Sequence, residues 1–248
     1  MVTNQTTVQT VIDPAAHMGA VVLTVANLAQ SLDFYGKVLG ITRIDQDNGE
    51  KTATIGVGST PLLHLQEFQG ARPQPTYSTG LYHVAILVPS RPDLGRVLIN
   101  LARLQYPIQG FGDHFVSEAM YLADPDGNGL EIYRDRPRSE WQYNGRQIVM
   151  GTEAVDVDAV ISEVVNPNTA FTGIAEGTVI GHVHLRVGNI AKAEAFYHDI
   201  IGFDVMAKMP SALFVSAGGA LRGGWTAPLR RVAEDHRAED REEPSARK

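Results

Sequence analysis

Two periods of hydrophobic residues run along this chain. At Val21–Val25, Tyr82–Val88 and Val183–Val187, apolar side chains fall on every second position, the period of a strand with one buried face. After each comes a stretch with helical spacing: Leu32, Tyr35 and Leu39 in one, and Leu94, Val97, Leu98 and Leu101 within Asp93–Gln105 in another. Short alternating runs follow, such as Ala119–Ala123 and Gly129–Tyr133 around Asp-Pro-Asp-Gly-Asn, where Asp-Gly is a strong hairpin signal. The pattern predicts three strand–helix–strands units, beginning near residues 18, 80 and 180.

Two of these units are visibly related. Thr24–Ile41 aligns without gaps on Arg186–Phe203 at an offset of 162 residues, with Asn27/Asn189, Phe34/Phe196, Tyr35/Tyr197 and Gly40/Gly202 among the identities. The Asn is placed to cap the helix start and the Gly to end it in a left-handed conformation. Pro-rich Gly70–Tyr77 connects the first two units. A longer linker, residues 137–177, carries one predicted helix at Asp156–Val164. Beyond Gly219 the alternation stops, and Leu229–Lys248 is dense in charge, which predicts a solvated helix or disorder. The boundaries are therefore 18–68, 80–136 (paired with the first unit), linker 137–177, an incomplete third unit at 178–219, and a tail at 220–248.

Composition narrows the chemistry. There is no cysteine, so a metal would have to sit on His, Asp or Glu. A net charge of −7 disfavours nucleic acid and anionic membranes as partners. The polar N-terminus has no signal-peptide core and no apolar run reaches membrane-spanning length, which makes the cytoplasm the default location.

Alternation also assigns faces. If Val84, Ile86, Leu130, Ile132, Met120 and Leu122 lie under the helix, then His83, Tyr121 and Glu131 share the opposite face. The same test puts His64 on that face of unit one, and His182 and His184 on that face of unit three.

The segment Gly112–Glu131, with Gly112, His114, Met120, Tyr121, Asp124, Pro125, Gly127 and Glu131 in order, resembles the extradiol dioxygenase signature. Together with the Phe-Tyr helix ending in Gly, it makes the chain similar to the vicinal oxygen chelate superfamily of glyoxalases, bleomycin-resistance proteins and extradiol dioxygenases, closest to four-module catechol 2,3-dioxygenase-like proteins. The resemblance implies an α+β fold of repeated βαβββ modules, with paired mixed sheets forming a metal cleft. It implies His83 and Glu131 as metal ligands, and His114 and Tyr121 beside the substrate. The third ligand would fall at Ala20, which cannot coordinate; His64 is the candidate in its place, as ligand or as catalytic base. The implied reaction is ring cleavage of a catechol-like diol by O2 with Fe(II), or alternatively Mn(II). The rival readings are a glyoxalase-like isomerase or thiol transferase with Ni(II), Zn(II) or Mn(II), and a non-catalytic drug-binding or degenerate member. With the third unit cut short, His182 and His184 would be structural remnants, and an open edge at residues 180–218 would favour a homo-oligomer.

Overall fold

The computed structural model describes residues 11–45, 51–145, 147–218 and, as backbone, 227–231. Unit one comprises β1 (Val21–Val25), α1 (Leu28–Phe34) running into a π-helical turn at Tyr35–Leu39, β2 (Thr42–Arg43), β3 (Thr52–Val57) and β4 (Thr60–Glu67). Unit two comprises β5 (Gly80–Leu87), α2 (Arg91–Arg103), β6 (Gly110–Asp113), β7 (Ser117–Ala123) and β8 (Gly129–Asp135). The linker holds a small hairpin, β9 (Tyr143–Asn144) with β10 (Gln147–Ile148), and α3 (Val157–Ser162). Unit three comprises β11 (Val179–Val187), α4 (Ile190–Glu194) with a second π-helical turn at Ala195–Ile200, β12 (Asp204–Met209), β13 (Ala212–Ser216) and β14 (Ala227–Arg231). No helix among the described residues is long and apolar enough to cross a membrane.

Local chemistry explains the helix ends. The side chains of Asn27 and Asn189 each accept from the backbone N–H three residues on, at 2.9 Å. Gly40 closes the first helix at φ 66°, and Gly173 of the linker passes so close that a Cβ on Gly40 would lie 2.1 Å from its Cα.

All three units share one strand order, with the first strand parallel to the last: β1-β4-β3-β2, β5-β8-β7-β6 and β11-β14-β13-β12. The α+β architecture of repeated βαβββ units is thus present, and unit three is a full repeat. The expectation of an incomplete unit ending near residue 219 gives way here. Ala227–Arg231, in the segment read as helix or disorder, pairs with β11 on one side and β13 on the other. Five residues rich in arginine carry no readable alternation, because a strand between two neighbours is held by its backbone. The rest of the charged tail lies outside the described residues. With β14 and β5 flanking it, β11 has no open edge, and the edge of the sheet in this unit falls at β12.

The pairing of units also differs from expectation. β5 joins β11 antiparallel, so units two and three share one eight-stranded sheet, while unit one keeps its own four-stranded sheet. Units one and two instead meet through their helix-side faces. Leu23, Tyr35, Leu39, Ile55 and Leu63 of unit one form one buried cluster with Ile86, Leu101, Met120 and Ile132 of unit two. Both faces are apolar beyond what one helix covers, so each buries the other. Hydrogen bonds fix the contact: Asn100 Nδ2 to Val38 O at 2.9 Å, Tyr35 Oη to Asp124 at 3.1 Å, and Ala26 N to Asp126 at 2.8 Å. The other face of unit one, with Val22, Thr24, His64 and Gln66, is exposed.

Candidate metal centre

Strand register builds the site. Across β8, β5 and β11, Glu131 pairs with Ala85, and Ala85 with His182. The alanine between them is fully buried and small, so the two longer side chains converge above it. His83, two residues earlier on β5, points to the same face. One irregularity makes this possible. Ile180 and His182 pair with successive residues Ile86 and Ala85, so Gly181 is an extra residue on β11. The bulge lets Ile180 enter the apolar core while His182 turns to the other side. A Cβ at Gly181 would lie 1.9 Å from Tyr133 Oη.

The result is a buried group of His83, Glu131 and His182, 6%, 3% and 7% exposed, whose candidate ligand atoms all lie within 4.8 Å of one another. Glu131 Oε2 is 2.7 Å from His83 Nε2 and 3.3 Å from His182 Nε2. The approach to His83 lacks hydrogen-bond geometry, and His83 Nε2 and His182 Nδ1 have no hydrogen-bond partner. Burial lowers the pKa of His83, outweighing the pull of Glu131, and so favours neutral imidazole. Burial acts to raise Glu131, but the adjacent His182 and His83 outweigh it and hold the carboxyl well below its usual range. A neutral His83 imidazole, an ionised carboxylate and buried nitrogens without partners suit a divalent cation, and two His with one carboxylate would leave coordination positions open.

Beside this group stands a second pair. His114 Nε2 is 2.7 Å from Tyr121 Oη, and His114 Nδ1 is 3.0 Å from Gly151 O in the linker. A carbonyl only accepts, so the proton sits on Nδ1, and Tyr121 donates to Nε2. Burial, reinforced by Glu131, raises the Tyr121 phenol far above its usual pKa, so it stays protonated. The Tyr121 ring lies 5.6 Å from that of His83.

Both groups open into a cavity of about 520 Å³. Its walls come from β5, β7, β8, β11, linker residues Met150–Thr152 and the β12–β13 hairpin. Of the residues singled out in the sequence, His83, Glu131, His114 and Tyr121 line this cavity, and His64 does not. His64 lies on the exposed face of β4, 3.0 Å from Thr54 Oγ1. It belongs to the sheet that does not join unit two, so it cannot reach the group. Neither can Ala20, because the histidine facing Glu131 comes from the following unit. Thus His182, read as a remnant, joins the group, and His184 lines the cavity with its ring 4.7 Å from that of His83. The signal was present in the alternation of β11, which put both on the cleft face. What it lacked was a partner sheet.

Comparison with known proteins now has a geometry to meet. Residues 17–132 and 179–239 match a family model described as the Glyoxalase/Bleomycin resistance protein/Dioxygenase superfamily. Catechol-2,3-dioxygenase of Bacillus subtilis (strain 168) is 44% identical over 207 residues, 82% of this chain and 71% of that protein. A virulence protein of Salmonella typhimurium (strain LT2) is 27% identical over 128 residues, 50% of this chain and 86% of its own. A crystal structure from Bacillus subtilis subsp. subtilis strain 168, provisionally described as a dioxygenase, covers 86% of this chain with a TM-score of 0.57 at 18% identity. This chain spans 63% of that structure's length, and the likeness concerns fold alone. The family match takes in every residue of the two polar groups, and on it the chain belongs to the glyoxalase/bleomycin resistance protein/dioxygenase superfamily.

Proposed function

We propose that this protein is a metal-dependent extradiol dioxygenase that cleaves the ring of a catechol-like diol with O2. The observation that carries the reading is the buried His83–Glu131–His182 group beside the Tyr121–His114 pair in one cavity. The name of the 44% identical relative supports it. His83, Glu131 and His182 would hold Fe(II), with Mn(II) as the alternative. When bound, such a metal supplies Lewis acidity toward the diol oxygens and an open position for dioxygen.

The protein's own groups do the rest. Neutral His83 and ionised Glu131 are in ligand form without first losing a proton. Tyr121 keeps its phenolic proton and holds it against His114 Nε2, so the pair can pass a proton at the cavity wall. Gly151 O fixes the His114 tautomer that makes this possible. The burial of His83, Glu131 and His182 shields the group from bulk water. His64, too distant to act as base or ligand, leaves the three-residue set without the fourth ligand a glyoxalase-like site would use.

The test is to load the protein with Fe(II) anaerobically, admit oxygen, and follow O2 uptake and the absorbance of the ring-cleaved product with catechol. Stoichiometric uptake and product formation are expected. Absence of uptake with any diol, or turnover of a thiol adduct under nitrogen, would overturn the reading.

A further inference from the structure

We infer that the cavity selects an uncharged diol bearing an apolar substituent, and that Met150, Met209 and Phe214 form the surface that recognises it. The inference rests on the ring-cleaving reading of the site.

The cavity lining holds two chemically distinct groups. One is His83, Glu131, His182, His184 and the Tyr121–His114 pair. The other is apolar: Val116, Met150 and Phe214 belong to a cluster with Trp141, Ile148 and Met206. Met209 and Ala212 of the β12–β13 hairpin, with Ser211 between them, add to the lining. A diol held by the polar group leaves its ring substituents to meet the apolar one. A volume of about 520 Å³ falls in the range that takes a drug-sized ligand, well beyond a single ring. Thioethers and an aromatic ring adapt to apolar groups of varied shape.

Charge points the same way. Among the described residues, no lysine or arginine lines the cavity, and its one carboxylate is Glu131. Arginines on flanking segments have other contacts: Arg136 with Asp113 at 2.6 Å and Arg138 over the Trp141 ring at 3.8 Å, while Arg186 stacks at 4.6 Å on the ring of Tyr82, which lines the cavity, without lining it itself. A carboxylate on the far side of the diol ring would face a wall that, among the described residues, offers no lysine or arginine, in a chain of net charge −7.

The metal-loaded protein is given catechol, alkyl- and phenyl-substituted catechols, and a ring-carboxylated catechol. Turnover is read by O2 uptake, and affinity by calorimetry under argon. The neutral substituted diols should lead the carboxylated one by roughly 100-fold in both kcat/KM and affinity. Met209→Lys, at the partly exposed hairpin, should narrow that gap by about tenfold or more through carboxylate binding. Equal or tighter binding of the carboxylated diol by the unaltered protein would overturn the inference and leave the ring-cleaving reading intact. Neutral-selective binding without turnover of any diol would support the selection while removing the proposed reaction.

Discussion

Replacing His182 by alanine removes the imidazole that unit three contributes to the buried group. Its magnitude can be worked from the geometry. His182 Nε2 is one of two ring nitrogens within 3.3 Å of Glu131 Oε2. Even changes in the groups that merely support metal ligands cost 10–100-fold in affinity, so losing a ligand outright should cost about 100-fold or more. A metal present at about 100 times its Kd stabilises the fold by ~2.7 kcal/mol, and the same concentration would give only ~0.4 kcal/mol after that loss. For a chain of this size, that is a metal-induced rise in Tm of about 5–10 °C falling to about 1 °C. Without metal, the variant loses one neighbour of a buried carboxylate, at a cost on the order of 1–3 kcal/mol. Differential scanning calorimetry with and without Mn(II), or Fe(II) under argon, reads both terms, with His64→Ala as the matched comparison. The reasoning fails if His182→Ala keeps the full metal-induced shift, or if His64→Ala abolishes it.

Other substitutions test neighbouring parts of the structure. Tyr35→Phe removes a buried hydrogen bond to Asp124, which keeps Asn128 as a partner, and should lower stability by about 1 kcal/mol in a urea titration. Gly181→Ala forces a methyl against Tyr133 Oη and should cost about 2 kcal/mol while weakening metal binding, read by the same calorimetry. Burial pushes the Asp135 carboxyl up to about 6, against the opposing pull of Arg138 and His182, from an ordinary 3.8. A raised folded-state pKa favours folding fully below pH 3.8, and that contribution is lost as pH rises through about 6. Asp135→Asn should therefore stabilise the metal-free protein at pH 8 by on the order of 2 kcal/mol and leave it little changed near pH 3.5, as compared by urea midpoints.

Much of this was legible in the residues. Alternation put Val84, Ile86, Met120, Leu122, Leu130 and Ile132 on one side and Tyr121 and Glu131 on the other, and the core and the cavity divide them that way. That follows because face depends on a two-residue period that any segment carries within itself. The helix ends were equally local, set by Asn27 and Gly40. Sheet-to-sheet pairing was not local. The junction of β5 with β11 joins residues about a hundred positions apart and includes a bulge at Gly181, which breaks the alternation on which face assignments depend. His182 lies past the bulge, so its face was assigned correctly and only its partner was wrong. β14 was missed for a related reason: it is short and charged, and is identified only by the strands on either side of it.

The turn Asp124–Asn128 closes the hairpin that leads into Glu131, and its carboxylates also grip Tyr35 and Ala26 of unit one. Among the described residues, unit one gives no side chain to the cavity, yet it seals the underside of the strands that do. The half that bears the cavity is consequently no free-standing part. Cutting the chain ahead of β5 would spare every group that faces the cavity and still bare Met120, Leu122, Leu130 and Ile132 to water. A search for the smallest active fragment would then meet insolubility before it met any loss of chemistry.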